Sequence, residues 1–394
     1  MGLALIFLVV SLLRSIDAIH HLIPDPGLGF QLNAWSADLS DVFVRYYGYP
    51  QVAPRAISEL LNLVPLSQLT YWATALNSVV VAICAVVIAI ALTPIIGLRL
   101  AALPGLSLAV TFPAHEGLVG NIWAIRWLLL PATCLVVISD FTRKHWRASL
   151  LLFIVTGLSH AYIFIPAIVF MARAWVERDG KPKTALHGFA LTGTTLFQGY
   201  AFWTGPRSTR LYGDSTAYWP WTGSGIYWLA VFILPLGLAL ISVGFSIAKS
   251  RTSTENWSPH LALSLQATLL AITSYLQLGI KSSPAVAGTS VSYAAVILAT
   301  STTGQTFGRI KFPQLVAFAT TLIMLILSIR YFLASSYLTN GLPWSQIVAQ
   351  GVTKCKTTTA SQVELTYFTN GDFTNSELLT CQQMKSWVEW FFRR

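Results

Sequence analysis

Charge is scarce in this sequence: over 394 residues, Asp, Glu, Lys and Arg together make up 10%, whereas water-soluble domains carry roughly a quarter. With 54% hydrophobic residues and a mean hydropathy of +0.61, a soluble globular protein is excluded. Acidic side chains are the scarcer kind, 15 against 25 Lys and Arg, giving a net charge of +10. The basic residues gather in short loops between apolar runs, which is the positive-inside pattern of membrane topology, and nucleic acid is not an expected partner. The short alternating segments of a β-barrel are also lacking. The apolar runs are long and continuous, as membrane helices require. No GxxxxGK[ST] loop, HExxH motif, GxSxG elbow or CxxC pair occurs, so ATP-driven transport and those hydrolytic and metal chemistries have no signature here. Cysteine is rare: Cys84 and Cys134 lie in apolar runs and read as small buried hydrophobes, while Cys355 and Cys381 lie in a polar tail. A pair there can form a disulfide only in an oxidising compartment.

The expected architecture is an all-α polytopic membrane protein. An uncleaved first helix over residues 3–13, continuing weakly to about residue 23, precedes an external loop over residues 24–65. Residues 56–64 read as an amphipathic surface helix ended by Pro65. Spans follow at 70–92, 98–112 and 118–139. Residues 149–172 are better read as a short-helix hairpin turning near Ser159 and His160 than as one span. A single helix would put Arg143, Lys144 and Arg147 on the opposite side from Arg173, Arg178, Lys181 and Lys183, against positive-inside logic. Further spans are expected at 186–203, 226–248, 261–280, 285–303 and 314–334. With the hairpin as two passes this makes about eleven crossings, an odd number that sets the N-terminus in the cytoplasm and the tail outside. Residues 1–335 then form the transmembrane body, and residues 336–394 an extracytoplasmic appendage, partly β, closed by a Cys355 to Cys381 bridge. Residues 385–394, with Trp387, Trp390, Phe391 and Phe392, read as an interfacial helix on lipid headgroups.

Three external segments carry polar side chains that topology alone does not require. The first is NAWSADLSDVFVRYYGYPQVAPR over residues 33–55, with Asp38, Asp41, Tyr49 and Arg55. The second is PAHEGLVGN over residues 113–121, with His115 and Glu116. The third, residues 205–225, holds Arg207, Arg210 and Asp214 beside Tyr218, Trp219 and Trp221. Guanidinium groups at a lipid boundary match phosphate oxygens, with Lys281 a further candidate for the same group. Aromatic rings suit sugar faces or isoprenoid chains, and a carboxylate beside them can act as general base on a hydroxyl. Each residue also has a plainer reading. Asp38 or Asp41 can cap a helix, Arg207 and Arg210 can bind lipid headgroups, tryptophans can form an interfacial belt, and Glu116 can sit in a structural pair. His160, at the hairpin turn, reads as a satisfied polar residue.

Trp35, Asp38, Tyr46, Gly48, Tyr49, Pro54 and Arg55 stand in the order of a W-A-E-D, Y-x-G-Y, P-R loop. Pro113, Glu116, Gly120, Asn121 and Trp127 follow a P-x-x-E-x-x-x-G-N pattern with a later tryptophan. With the split hairpin around Ser159 and Pro166 and a two-cysteine tail, the chain resembles the actinobacterial-type polytopic glycosyltransferases of the GT-C fold. That resemblance implies a GT-C-like helix bundle in the plasma membrane, a polyprenyl-phosphate sugar donor, and inverting transfer on the external face to a cell-envelope glycan or lipid. It implies an aspartate of the first loop as base, here Asp38, with Asp41 as the other candidate because Ala37 stands where the pattern has Glu. Arg207, Arg210 and Lys281 would hold the donor phosphate, and Glu116, His115, Tyr49 and Arg55 would orient the acceptor. No cofactor is firmly implied, although a carboxylate pair can bind Mg2+ or Mn2+. The rival class is a non-catalytic membrane protein, either a flippase of a lipid-linked substrate or a partner subunit that keeps the fold. A transporter places charges near mid-membrane, and Arg126 is the residue expected inside its span.

Overall fold

A computed structural model describes residues 2–20, 42–43, 45–46, 49–61, 63–110, 121–177, 179–204, 237–238, 240–244, 262–270, 282–300, 306–307, 310–311, 314–316, 318–320, 322, 342–358, 361–370, 373–381 and 384. These residues are mostly helical. The chain opens with α1 (Gly2–Arg14), a two-residue hairpin of β1 (Arg45–Tyr46) and β2 (Tyr49–Pro50), and α2 (Val52–Leu61). The body follows as α3 (Leu69–Ile96), α4 (Leu98–Ala109), α5 (Ile125–Val137), the short α6 (Phe141–Lys144), α7 (Trp146–Gly157), α8 (Phe164–Val176), α9 (Pro182–Thr204) and α10 (Ser282–Thr300). A second short hairpin, β3 (Thr306–Phe307) with β4 (Ile310–Lys311), precedes α11 (Trp344–Thr357) and the antiparallel pair β5 (Gln362–Asn370) and β6 (Phe373–Thr380).

Helix α5 is the centre. All thirteen of its residues are buried, and it packs against α3, α7, α8 and α10. A helix apolar all round has no solvent or lipid face and must be surrounded. Thr133 meets Thr156 of α7 at 2.8 Å, a hydroxyl pair between two apolar helices. The outer helices have the opposite polarity to those of a soluble protein. Along α9 the inward stripe is His187, Gly188, Leu191, Thr194, Gln198 and Ala201. Its outward face carries Phe189, Leu196, Tyr200 and Trp203, each more than 60% exposed. Small and polar residues between helices with large apolar ones outside is the pattern of packing in lipid. Among the described residues one helix, Leu66–Ile96 including its first 3-10 turn, is long and apolar enough to cross a membrane by itself.

Helices α3 and α4 form a hairpin through one residue. Gly97, at φ 78°, takes the left-handed region that glycine adopts without a Cβ penalty. Close approach sets Gly105 of α4, where a Cβ would fall 2.7 Å from the Ala85 carbonyl and 2.9 Å from the Phe7 ring.

Helices α7 and α8 form the expected hairpin, broken at residues 158–160. The guanidinium of Arg143, just before α7, binds Glu177 and Asp179, just after α8, so both limbs return to one place. Arg173 is the buried part of this clamp. It donates to the carbonyls of Val137 at 3.0 Å and Ser139 at 2.7 Å, and pairs with Glu177 at 2.9 Å and Asp140 at 3.3 Å. It thereby covers the carbonyls at the end of α5, which the helix itself cannot satisfy. Burial works against the Asp179 carboxylate, yet the Lys181 backbone N–H and the Arg143 guanidinium hold it below the usual carboxylate range. Burial likewise pulls Arg143 down, and Glu177, Asp179 and Asp140 outweigh it and raise it.

The tail meets the body through Trp344, fully buried, whose backbone N–H reaches the His20 carbonyl at 2.8 Å and whose indole reaches the Leu66 carbonyl at 2.6 Å. The expected Cys355 to Cys381 disulfide is present, fastening the last turn of α11 to the end of β6. Val363 and Leu365 point inward while Gln362, Glu364 and Thr366 face out, the period of a half-buried strand. Helix α11 has no counterpart in the sequence reading, because its Thr, Gln and Ser content masks the buried stripe Trp344, Ile347, Val348, Gly351 and Cys355.

Other boundaries differ as well. The helix expected over 56–64 is α2, beginning at Val52 and holding Pro54 in its first turn, where a missing N–H costs nothing. It is packed against the body through Ala53, Pro54, Arg55, Ser58 and Leu61 rather than lying free on the surface. The span expected over 118–139 begins as a 3-10 turn at Ile122, so Arg126, expected inside the span, occupies the first turn of α5. Only parts of the expected spans 226–248, 261–280 and 314–334 fall among the described residues, so the number of crossings lies outside them, as does the segment 385–394.

Two substitutions test this packing. Arg173→Met leaves the α5 carbonyls without their donor and Glu177 and Asp140 with Arg143 alone, and should destabilise the protein by about 3–5 kcal/mol, read as a lower melting temperature in detergent; an unchanged value would contradict the clamp. At Gly157 a Cβ would run into the Thr194 side chain. Gly157→Ala should cost about 1–3 kcal/mol, and adding Thr194→Gly should recover part of the loss in the same melting measurement.

Candidate functional site

The basic clamp marks one end of the bundle. At the other end meet the N-termini of α3, α5 and α8, the C-termini of α7 and α9, β2, α2 and the disulfide-closed tail. Asn121 starts α5 there: its side chain accepts from the Trp123 N–H at 3.0 Å, and its carbonyl accepts from Asn77 Nδ2 at 2.7 Å. His160 starts α8 in the same way, with Nδ1 accepting from the Tyr162 N–H at 3.0 Å. Each side chain satisfies one of the orphan N–H groups of a helix start, in a place where water does not.

These two capped turns bring a cation and several rings together. The Arg126 guanidinium lies 3.8 Å from the Trp123 ring centre and 5.4 Å from that of Trp127. Trp127 in turn meets His160 edge-on at 4.2 Å and Tyr162 at 5.6 Å. Arg126 is 2% exposed and Arg55, on α2, 5%. Burying a guanidinium is costly, and the ring faces offset part of that by cation–π attraction.

The surrounding frame is fastened by backbone contacts. Ser159 Oγ accepts from the Ala53 N–H at 2.8 Å and donates to the Val155 carbonyl at 2.6 Å, tying α2 to the hairpin turn. Gln198 of α9 donates to the Gly157 carbonyl at 2.8 Å and to the Pro50 carbonyl at 3.4 Å. Three buried polar atoms in this frame have no hydrogen-bond partner: Trp127 Nε1, His160 Nε2 and Gln198 Oε1. Such atoms cost about 1–3 kcal/mol each when left unmet in a folded protein. A cation, ring faces and two N–H donors in dry surroundings are suited to an oxygen-rich anionic ligand, whereas the Gln198 amide oxygen calls for a donor.

Of the residues the sequence singled out, Arg55 is brought into this region, and Tyr49 lies on β2, whose Pro50 carbonyl is part of it. Asp38, Asp41, His115, Glu116, Arg207, Arg210 and Lys281 lie outside the described residues. The disulfide pair is found as expected. Arg126, Trp127, Gln198 and the second nitrogen of His160 escaped the sequence reading as site residues. The signals available for them were a lone arginine in an apolar run beside two tryptophans, and the place of Trp127 after the P-x-x-E-x-x-x-G-N pattern. Among the described residues no three His, Cys, Asp or Glu side chains come together as a metal group.

Two pockets lie elsewhere. One, of about 240 Å³, is lined by Arg143, Arg173, Asp179, Lys183 and His187 at the clamp, where the charged groups largely satisfy each other. The other, of about 360 Å³, lies at the tail end between His20, Gln68, Tyr71, Trp72 and Ser345.

No family model and no curated protein matches the chain. Among solved structures, the crystal structure of ArnT from Cupriavidus metallidurans bound to undecaprenyl phosphate is similar to it, with a TM-score of 0.48 and 16% identity over 90% of this chain and 72% of that one.

Proposed function

We propose that the chain is a membrane glycosyltransferase that moves a sugar from a polyprenyl-phosphate donor to a cell-envelope acceptor on the external face of the plasma membrane. The observation that carries this reading is Arg126, buried against Trp123 and Trp127 with Arg55 also buried close to the hairpin frame, at the end of the bundle where the tyrosine-rich first loop joins the body. A fixed cation in dry, aromatic surroundings stabilises a phosphate as it leaves, and ring faces suit the sugar or the isoprenoid chain. The position of Arg126 in the first turn of α5, rather than mid-span, favours a site at the membrane boundary over a path through it.

In this reading Asp38 takes the proton of an acceptor hydroxyl, with Asp41 the other candidate for the same role. The acceptor oxygen attacks the anomeric carbon as the bond from that carbon to the phosphate oxygen breaks. The electron pair leaves with the polyprenyl phosphate, and the configuration inverts. Arg207, Arg210 and Lys281 hold the phosphate, and Glu116, His115, Tyr49 and Arg55 orient the acceptor.

The test is transfer from a panel of radiolabelled polyprenyl-phosphate sugars in membranes holding the native chain, Asp38→Asn or Asp41→Asn at equal expression. Native membranes should label an acceptor, and the variant that removes the base should lower the rate about 10²–10⁴-fold. No donor consumed by native membranes, or native rates in both variants, would overturn the reading in favour of a flippase or a non-catalytic partner.

A further inference from the structure

The hairpin turn holds a histidine whose protonation is set by its backbone. The N–H of Tyr162 donates to His160 Nδ1 at 3.0 Å, so Nδ1 carries a lone pair and no proton. The ring is therefore the neutral tautomer with its hydrogen on Nε2. That Nε2–H is buried and has no partner, and the indole N–H of Trp127, whose ring meets His160 at 4.2 Å, has none either. Both atoms can only donate. Arg126, stacked by the same Trp127, is a third group that can only donate. A hydroxyl needs acceptors as well as donors, whereas a phosphate monoester offers acceptors almost alone.

We propose that Trp127 Nε1 and His160 Nε2 are phosphate ligands of the polyprenyl-phosphate group, binding its oxygens beside Arg126. This rests on the transferase reading above and extends it, since neither residue is among those assigned there to the phosphate. The turn that holds His160 is also the one fastened to α2 by Ser159 and to α9 through Gly157. Phosphate binding would therefore be sensed by the elements around the first loop.

A conservative variant separates binding from folding. Asn121 caps the preceding 3-10 turn by accepting from the N–H two residues on, as His160 does. His160→Asn should keep that cap while removing the Nε2–H, and Trp127→Phe keeps a ring while removing the indole N–H. Binding of a polyprenyl monophosphate and of the matching unphosphorylated polyprenol is measured on the full chain in nanodiscs. Trp175→Phe, 85% exposed near the clamp, serves as control. Each site variant should bind the monophosphate about tenfold more weakly, with polyprenol binding unchanged, while the control binds as the native chain does. Native affinity in both site variants, or an equal loss for polyprenol, would overturn the assignment and leave the transferase reading standing. A native chain that does not bind the monophosphate would overturn both.

Discussion

Helix α5 has no face to spare, and the rest of the protein is arranged to satisfy it. Thirteen buried residues mean that neither water nor lipid can meet the unpaired backbone groups at its two ends. One end is met by Asn121, the other by the guanidinium of Arg173. The two solutions differ in kind, and the molecule takes its polarity from them. The arginine brings Asp140, Glu177, Asp179 and Arg143 with it and makes a charged clamp whose members are matched. The asparagine end draws in neutral caps, tryptophans and a buried cation held against their ring faces.

That asymmetry links packing to chemistry. A charge network whose members satisfy each other stabilises a fold and has little left for a ligand. Buried N–H groups with nothing to donate to are the reverse, a cost that a bound oxygen removes. Polar rigidity is concentrated around the same place. Ser159, Gln198 and the two 3-10 caps hold the hairpin turn, α2 and α9 in fixed relation, which is what orients a ligand without reorganisation.

Much of this architecture was legible because lipid imposes simple rules. Continuous apolar runs gave α3 and α9, the distribution of Arg143 and Arg173 gave the hairpin of α7 and α8, and two cysteines in a polar tail gave the disulfide. The clamp's structural duty was not legible, since positive-inside bias and helix capping ask for the same residue at the same place. Arg126 lies inside its helix as expected, but its place in the first turn was not legible, because no periodic signal marks the 3-10 turn that delays the start of α5. His160 was half right: one nitrogen is satisfied as expected, and its tautomer depends on a backbone N–H that only folding brings near. Helix α11 was missed because its polar composition hid a stripe that becomes apolar only against Leu365 and Met384, the side chains closest to Gly351.

The central claim is that the first loop and the aromatic end lie on the outer face of the membrane, opposite the Arg143 clamp. Single cysteines at Ser40 and Lys144, probed with a membrane-impermeant maleimide in intact and opened cells, test it most directly. The account predicts that Ser40→Cys labels in intact cells and Lys144→Cys only after the membrane is opened. Labelling of both positions from the same side would contradict it.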